Sequence, residues 1–319
     1  MVFGRIQAFF SGDSASTNVE DETDEKTWQE YFEQVVECRA LEEYESAVEM
    51  GINLLEATKK GGEYECSSTD VIKVLNLLAG IYLDQEMYQQ TELLLKKALS
   101  LAEKETGEQS VDTAEALNNL GDLYENMEQA TLAEEFFVRA LSLYERHYGT
   151  EHEEIAVCYD HLGWLYDGTE EYDKATVFFQ NALAMNEKLF HQNHTSVGIS
   201  LRNLAMCYGN QEMYEQALPL MQRSWQIMTD DKDGGGELQT SEACVDLAII
   251  YYEMDNEQQA EPIFLQALEV YEKYDYQNEQ EQTLEVLDYL TELYQTWEDD
   301  EKACVYEIRA DQLREKLED

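Results

Sequence analysis

The strongest constraint on this chain is a short pattern, Leu-small-x-x-Tyr, that recurs six times at a nearly constant spacing. A second marker, a small residue nine positions after each tyrosine, keeps the same spacing. Two markers that stay in step over six copies indicate a solenoid of helix hairpins, each packed on its neighbours. The tyrosines are Tyr82, Tyr124, Tyr166, Tyr208, Tyr251 and Tyr294, and the small residues are Thr91, Ala133, Ala175, Ala217, Ala260 and Ala303.

The second copy of the pattern predicts two packed helices. Leu117, Leu120 and Tyr124 recur at helical spacing and therefore share one face of a first helix. Gly121 lies in that face, and together with Ala133 and Ala140 of the following helix its small size would let the two helix axes approach closely. One such hairpin cannot bury both of its faces alone, so it needs neighbours like itself.

These residues resemble the marker positions of the tetratricopeptide repeat. The matches are Leu117, Leu120-Gly121, Tyr124, Ala133, Phe137 and Ala140 in the second copy, and Tyr159, Leu162-Gly163, Tyr166, Ala175, Phe179 and Ala182 in the third. The usual period is about 34 residues, and the longer period here resembles the kinesin-light-chain branch, as do the segments LNNLGDLY, YGTEHEEIA, FHQNHTSVG and QQAEPIFLQALEVYEK. The resemblance implies an all-α fold, a right-handed α-solenoid (superhelix) of about seven antiparallel helix hairpins.

The chain divides by composition into three parts. Residues 1–10 form a short amphipathic segment, and residues 11–27 are rich in Ser, Thr, Asp and Glu and predict an acidic flexible linker. Residues 28–319 form the solenoid, in which residues 28–60 are a degenerate capping hairpin, residues 68–275 carry the clear repeats and residues 280–319 are a C-terminal capping repeat.

The amphipathic segment has two interpretations. Its apolar residues share one helical face and could dock on a membrane or on a partner. Alternatively, the segment packs on its own solenoid, since a helix of this length is marginal alone. The docking candidates are Val2, Phe3, Ile6, Phe9 and Phe10.

The charge of the chain limits its partners. Lys and Arg number 21 against 69 Asp and Glu, which gives a net charge of −48. This charge argues against binding to a nucleic-acid backbone, which needs clustered basic residues, and the sequence predicts no nucleic-acid partner. The charge favours a basic protein or peptide partner, while a solvated surface or a high-salt host would also explain it.

The six scattered cysteines form no CxxC pair and favour reduced thiols in a cytoplasmic protein. A peripheral position at a membrane, through residues 1–10, is the alternative. The sequence makes no prediction of oligomeric state.

Motifs for catalysis, metals or cofactors are not found, so the sequence predicts a non-enzymatic protein with no metal and no cofactor. His152 and His194 occupy equivalent joints between repeats and predict packing or capping there. Asp112, Thr195 or Ser196, and Thr240 are the predicted caps at helix starts. Pro219 and Pro262 fit only if they lie in the first turn of a helix.

The resemblance implies that the first helices line a concave groove for a partner. Asn side chains there can donate to and accept from an extended peptide backbone, while Trp164, Met206 and Ile249 would supply apolar pockets. In kinesin-light-chain-like repeats the second Asn of Asn-Asn-Leu holds the ligand backbone; Asn119 matches fully and Asn203 matches within Arg-Asn-Leu. The predicted set is Asn118, Asn119, Asp122, Asp160, His161, Trp164, Arg202, Asn203, Met206, Asp246 and Ile249.

The sequence therefore predicts an adaptor or scaffold that binds a peptide segment or protein, preferably basic, in this groove. A cargo, cytoskeletal or membrane adaptor similar to kinesin light chain is one version. An assembly factor or specialised chaperone for a basic protein, or a peptide-sensing regulatory module, is the alternative.

Overall fold

The computed structural model describes residues 5–6, 28–41, 43–58, 67–230, 237–274 and 280–318, and its elements there are helical. The chain forms two compact units, residues 1–161 and 162–319, which we call the first unit and the second unit. The fourteen α-helices of the described residues are α1 Trp28–Ala40, α2 Tyr44–Ala57, α3 Ser68–Asp84, α4 Tyr88–Ala102, α5 Val111–Asn126, α6 Ala130–Tyr148, α7 Glu153–Gly168, α8 Tyr172–Leu189, α9 Thr195–Asn210, α10 Tyr214–Asp230, α11 Glu237–Glu253, α12 Glu257–Tyr274, α13 Gln280–Thr296 and α14 Asp300–Glu318. A π-helical turn, Glu103–Gly107, follows α4.

Turns of a few residues join these helices into seven hairpins, from α1–α2 to α13–α14. Within the first unit, α2 packs on α3 and α4 packs on α5. Within the second unit, α8 packs on α9, α10 on α11, and α12 on α13. Because each turn reverses the chain, the described residues confirm the predicted all-α array of about seven antiparallel hairpins.

A glycine faces a buried phenylalanine in two successive hairpins. A Cβ atom on Gly121 would lie 2.4 Å from Cε1 of Phe137, and one on Gly163 would lie 2.6 Å from Cε1 of Phe179. Both rings are fully buried, so neither can move aside without displacing packed atoms. The missing side chains therefore set how closely the paired helices approach. The second marker is buried in every copy, at Thr91, Ala133, Ala175, Ala217, Ala260 and Ala303.

Six hairpins turn at an acidic residue with a left-handed backbone. In the α5–α6 turn, Glu128 has a φ of 58°. The Glu128 N–H donates to the carbonyl of Glu125, and the Gln129 N–H donates to that of Tyr124, both at 2.8 Å. This pair of bonds is a Schellman helix end, where glycine is the usual residue because a side chain has a steric cost. The corresponding residues of the other turns are Glu86, Glu170, Glu212, Asp255 and Glu298.

The predicted caps of α5 and α11 are wrong, since these helices begin two and four residues earlier than those caps imply. Ser110 caps α5, since its Oγ accepts a hydrogen bond from the Thr113 N–H at 3.1 Å, and Asp112 lies inside the helix. Helix α11 begins at Glu237, so Thr240 lies in its first turn. Several neighbouring Ser, Thr and Asp residues are good caps, and the sequence pattern alone does not choose between them.

Histidines occupy two equivalent joints between hairpins, as predicted. The Nδ1 atom of His194 accepts the Ser196 N–H at 3.2 Å and caps α9, in place of the predicted Thr195 or Ser196. Its ring stacks on Phe190 with the centroids 4.1 Å apart. His152 repeats this arrangement, and its Nδ1 accepts a backbone N–H two residues further on at 3.3 Å. The prediction of packing or capping at these joints is confirmed.

The two prolines lie deeper in their helices than predicted. Pro219 is the sixth residue of α10 and Pro262 the sixth residue of α12, so both lie in the second turn. The second helix of each hairpin starts directly after the connection between the two helices. The prolines therefore lie beyond the first turn of the helix itself. Each proline removes one intrahelical hydrogen bond.

Ile6 is buried against the chain itself, at 1% exposure. Its neighbour Arg5 pairs with Glu56 of α2 at 2.8 Å and donates to the Asn53 side chain at 2.9 Å. These contacts favour packing of the segment on its own solenoid over docking elsewhere. The other predicted docking residues, Val2, Phe3, Phe9 and Phe10, and the linker 11–27 lie outside the described residues. Within the described residues, no helix combines the length and apolarity needed to span a membrane.

The substitution Gly121→Ala tests the close helix approach. We expect it to lower the free energy of unfolding by about 1 kcal/mol, because overpacking costs about 1–3 kcal/mol and exceeds the gain in helix propensity. Urea unfolding followed by circular dichroism measures the change. The control is Gly209→Ala on α9, where a Cβ atom meets nothing within 4 Å, and this variant should gain stability. Equal gains in both variants would contradict the packing argument.

The substitution Glu128→Gly tests the strained turn. Relief of the left-handed conformation, about 1–2 kcal/mol, exceeds the entropic cost of glycine, so we expect a gain of about 0.5–1 kcal/mol. The control Glu135→Gly removes the same charge from an exposed position inside α6, where glycine should cost about 1 kcal/mol. Thermal unfolding distinguishes the two, and a loss of stability in Glu128→Gly would disprove the strain.

Candidate partner-binding surface

Three predicted site residues of the first unit contact one another. The Nδ1 atom of His161 on α7 lies 2.9 Å from Oδ1 of Asp122 on α5, and its Nε2 lies 3.4 Å from Nδ2 of Asn118. The Cys158 thiol donates to Oδ1 of Asn118 at 3.6 Å. The His161 ring stacks on Phe137 with the centroids 5.0 Å apart. The three side chains therefore form one ordered group.

Carboxylates surround His161. Burial favours the neutral ring, but the charges of Asp122, Glu125 and Asp160 outweigh burial and raise the pKa of His161. Burial raises the pKa of Glu125 to about 7; the His161 charge opposes this shift and the Asp122 charge adds to it. Glu125 is not among the site residues that the sequence pattern predicts. Its position three residues after Asp122, on the same helix face, is the signal that could have identified it.

Asn119, which matches the kinesin-light-chain motif fully, lines a cavity of about 340 Å³ in the first unit. Asp122 and Glu115 line the same cavity, together with Lys73 and Arg39. This space therefore carries both signs of charge. Burial raises the pKa of Glu115, although its hydrogen bond with a neighbouring amide opposes the shift.

Two predicted residues of the second unit differ in their exposure. Trp164 is 36% exposed and lies edge-on to the ring of Phe179, with the centroids 5.0 Å apart. Asn203 is only 8% exposed. Neighbours therefore cover most of Asn203, because a helical pattern predicts the face of a residue but not how closely its neighbours cover it.

Arg202 and Asp246 form an ion pair. The Nε atom of Arg202 donates to Oδ2 of Asp246, and its Nη1 donates to Oε2 of Glu242 at 2.9 Å. Asp246 is 8% exposed. Burial raises the pKa of Asp246 even though the Arg202 charge lowers it. The arginine thus compensates a buried carboxylate and is not an isolated cation.

Met206 and Ile249, two of the predicted apolar residues, line a cavity of about 210 Å³ in the second unit. Asp246, Tyr214 and Glu253 line it as well. The Tyr214 hydroxyl donates to Glu253 at 3.3 Å. This is the part of the predicted set that the structure brings together around an open space.

A larger cavity of about 490 Å³ lies in the same unit, and none of its lining residues is among those predicted from the sequence. Glu253 lines both cavities, so the two adjoin. The acidic residues of α13 that line it stand at i, i+4, i+7 and i+11, which places them on one helix face and is the signal that could have identified them. The lining residues are Tyr252, Glu253, Glu281, Leu284, Glu285, Asp288, Tyr289 and Glu292.

The substitution Arg202→Met tests the buried ion pair. It leaves the Asp246 charge buried without a cation. We expect a loss of about 2–3 kcal/mol in the free energy of unfolding. This is less than the cost of breaking a fully buried pair, because Arg202 is partly exposed. Replacing Asp246 by Asn in the same chain should recover part of this loss. Urea unfolding measures both, and unchanged stability in Arg202→Met would refute the role of the pair.

The fold is similar to several solved structures at low sequence identity. BtubC (BKLC) from P. vanneervenii is 17% identical, with a TM-score of 0.58 over 79% of this chain and 94% of that chain. A Podosopora anserina protein with TPR-like repeats, described as a kinesin light chain, is 17% identical, with a TM-score of 0.54 over 66% of this chain and 98% of that chain. A Rap protein complexed with competence and sporulation factor is 13% identical, with a TM-score of 0.58 over 99% and 94%. No match was found among curated proteins.

The sequence profile of the tetratricopeptide repeat matches this chain three times, at residues 70–146, 112–188 and 196–273. Together these matches cover more than half of the chain. They fall on α3 to α12, the hairpins that carry the clear repeats. The chain belongs to the tetratricopeptide-repeat family.

Proposed function

We propose that this protein is a non-enzymatic adaptor that binds a basic segment of a protein partner. The binding site would be the acidic surface, which we define as the lining of the adjoining 210 Å³ and 490 Å³ cavities of the second unit. The observation that carries the proposal is the composition of the larger cavity, in which five carboxylates and two tyrosines meet without a basic side chain among the described lining residues.

The acidic surface has unpaired charge to offer. Asp288 already pairs with Arg314 at 2.5 Å. In contrast, no basic side chain of the described residues pairs with Glu281 or Glu285. Burial raises the pKa of Glu285, and the Asp246 charge adds to this shift. A Lys or Arg side chain from a partner would compensate these carboxylates through charge-assisted hydrogen bonds.

The uncharged lining supports a peptide rather than a small cation. Tyr252 and Tyr289 lie edge-on with the centroids 5.4 Å apart, and aromatic faces attract ammonium and guanidinium groups. Met206 and Ile249 in the adjoining cavity could take an apolar side chain of the same segment. An extended peptide with alternating basic and apolar residues fits this sequence of pockets.

Family membership supports the same class of function, since tetratricopeptide repeats are typical protein-interaction scaffolds. The Rap protein of similar fold is complexed with another factor. The likeness to a protein described as a kinesin light chain supports a cargo or cytoskeletal adaptor within this class. Asn119 at the first-unit cavity is a second contact candidate.

The test measures binding of a labelled peptide of alternating Lys and Leu, with a copy carrying Glu in place of Lys as the comparison. We expect the wild type to bind only the Lys peptide, more weakly at high salt. The triple variant Glu253→Gln, Glu281→Gln and Glu285→Gln should bind about tenfold more weakly, since each pair contributes up to about 1 kcal/mol. Fluorescence anisotropy gives the dissociation constants.

The control is a triple variant with the same change of charge. Glu301→Gln, Glu307→Gln and Glu315→Gln remove three exposed carboxylates of α14 that line neither cavity. This variant should bind like the wild type. Equal weakening in both triple variants would show that net charge alone attracts the peptide and would refute the site. A wild type that fails to bind the Lys peptide would refute the basic partner.

A further inference from the structure

We propose that Asp122, Glu125 and His161 of the first unit bind a divalent transition-metal ion of the Zn²⁺ class. One nitrogen ligand and two carboxylate oxygens are a donor set that Zn²⁺ accepts, whereas Mg²⁺ and Ca²⁺ prefer oxygen ligands only. The site is separate from the acidic surface, and the inference does not rest on the proposed function.

The three ligand atoms already lie close together. All are within 4.8 Å of one another, and Nδ1 of His161 is 2.9 Å from Oδ1 of Asp122. In a tetrahedral zinc site with bonds of about 2.0 Å, two ligand atoms stand about 3.3 Å apart. Small rotations of the side chains therefore bring the cluster to that geometry.

Hydrogen bonds do not satisfy this cluster. Oδ1 of Asp122 is buried and, apart from the ion-pair contact with Nδ1 of His161 at 2.9 Å, has no hydrogen-bond partner among the described residues. The Glu125 carboxylate also has no hydrogen bond within the described residues. A buried polar atom without a partner is costly. A bound cation would satisfy both carboxylates at once.

The surroundings orient the ligands as an outer coordination shell does. Asp122 and Glu125 are three residues apart on α5 and so face the same direction. The Asn118 amide lies 3.4 Å from Nε2 of His161, on the side of the ring away from Asp122, and Phe137 stacks on the ring. With its nitrogen on this side, the amide donates to Nε2 and the ring proton lies on Nδ1; turning the amide over lets its oxygen accept the Nε2–H, which leaves Nδ1 to bind the ion. Three protein ligands keep a fourth position for water or for a group from a partner.

The test uses the full chain stripped with a chelator and then titrated with Co²⁺ in excess Mg²⁺, which occupies exposed carboxylates. Tetrahedral Co²⁺ gives visible absorption bands, and Zn²⁺ should displace it at one equivalent. We expect His161→Gln and Glu125→Gln to lose the absorption and to weaken Co²⁺ binding at least about tenfold. Asn118→Ala, which removes only the outer partner, should weaken binding about 10–100-fold.

Two control variants remove the same groups elsewhere. His147→Gln and Glu135→Gln change exposed residues outside the cluster and should keep the absorption. Circular dichroism shows whether each variant is folded, and Glu125→Gln preserves the side-chain shape if His161→Gln disturbs the stacking on Phe137. Binding by folded Glu125→Gln equal to that of the wild type, or a wild type without one-equivalent Co²⁺ absorption, would overturn the proposal.

Discussion

The hairpins depend on complementary volumes at one contact between their two helices. Where the first helix has Gly121, the second presents the fully buried Phe137. Where the first helix has the larger Ala205, the second presents the unbranched Met221, and these two share one apolar cluster. In these two hairpins the summed volume is nearly the same while its division between the helices differs, as close packing favours. The faces of each hairpin that point away from this contact can then pack on the next hairpin within the same unit.

The regular part of this fold could be predicted from the sequence because it rests on spacing. The positions of Gly121, Phe137 and the marker tyrosines follow from helical periodicity, and the structure has them at the hairpin contacts. Where a helix starts depends on which of several neighbouring residues forms the N-cap. In α5 the N-cap is Ser110 and not the predicted Asp112. These competing local bonds have similar energies, and a pattern in one sequence does not rank them.

The candidate sites were less predictable because they depend on contacts between repeats. Asn203 has the right position on its helix, yet neighbours cover it to 8% exposure. Glu125 and His161 lie far apart in sequence, and only the packing of α7 beside α5 brings them together. The net charge of −48 likewise gives the excess of acidic over basic residues, but it does not say where in the structure the acidic residues cluster. The first-unit cavity includes Lys73 and Arg39, whereas the described lining of the second-unit cavities has no basic side chain.

The left-handed turns bear on how such a chain can change in length. In each of the six copies the turn residue follows the marker tyrosine by four positions and precedes the buried small residue by five, as at Tyr124, Glu128 and Ala133. The one-residue increase in the last two periods therefore falls outside the turns, toward the joints between hairpins. The spacing within each hairpin is thus constant, and only the connections between hairpins differ in length. Recombination at a joint could add or delete a whole copy, and the size of the array could evolve while the internal geometry of every hairpin stayed the same.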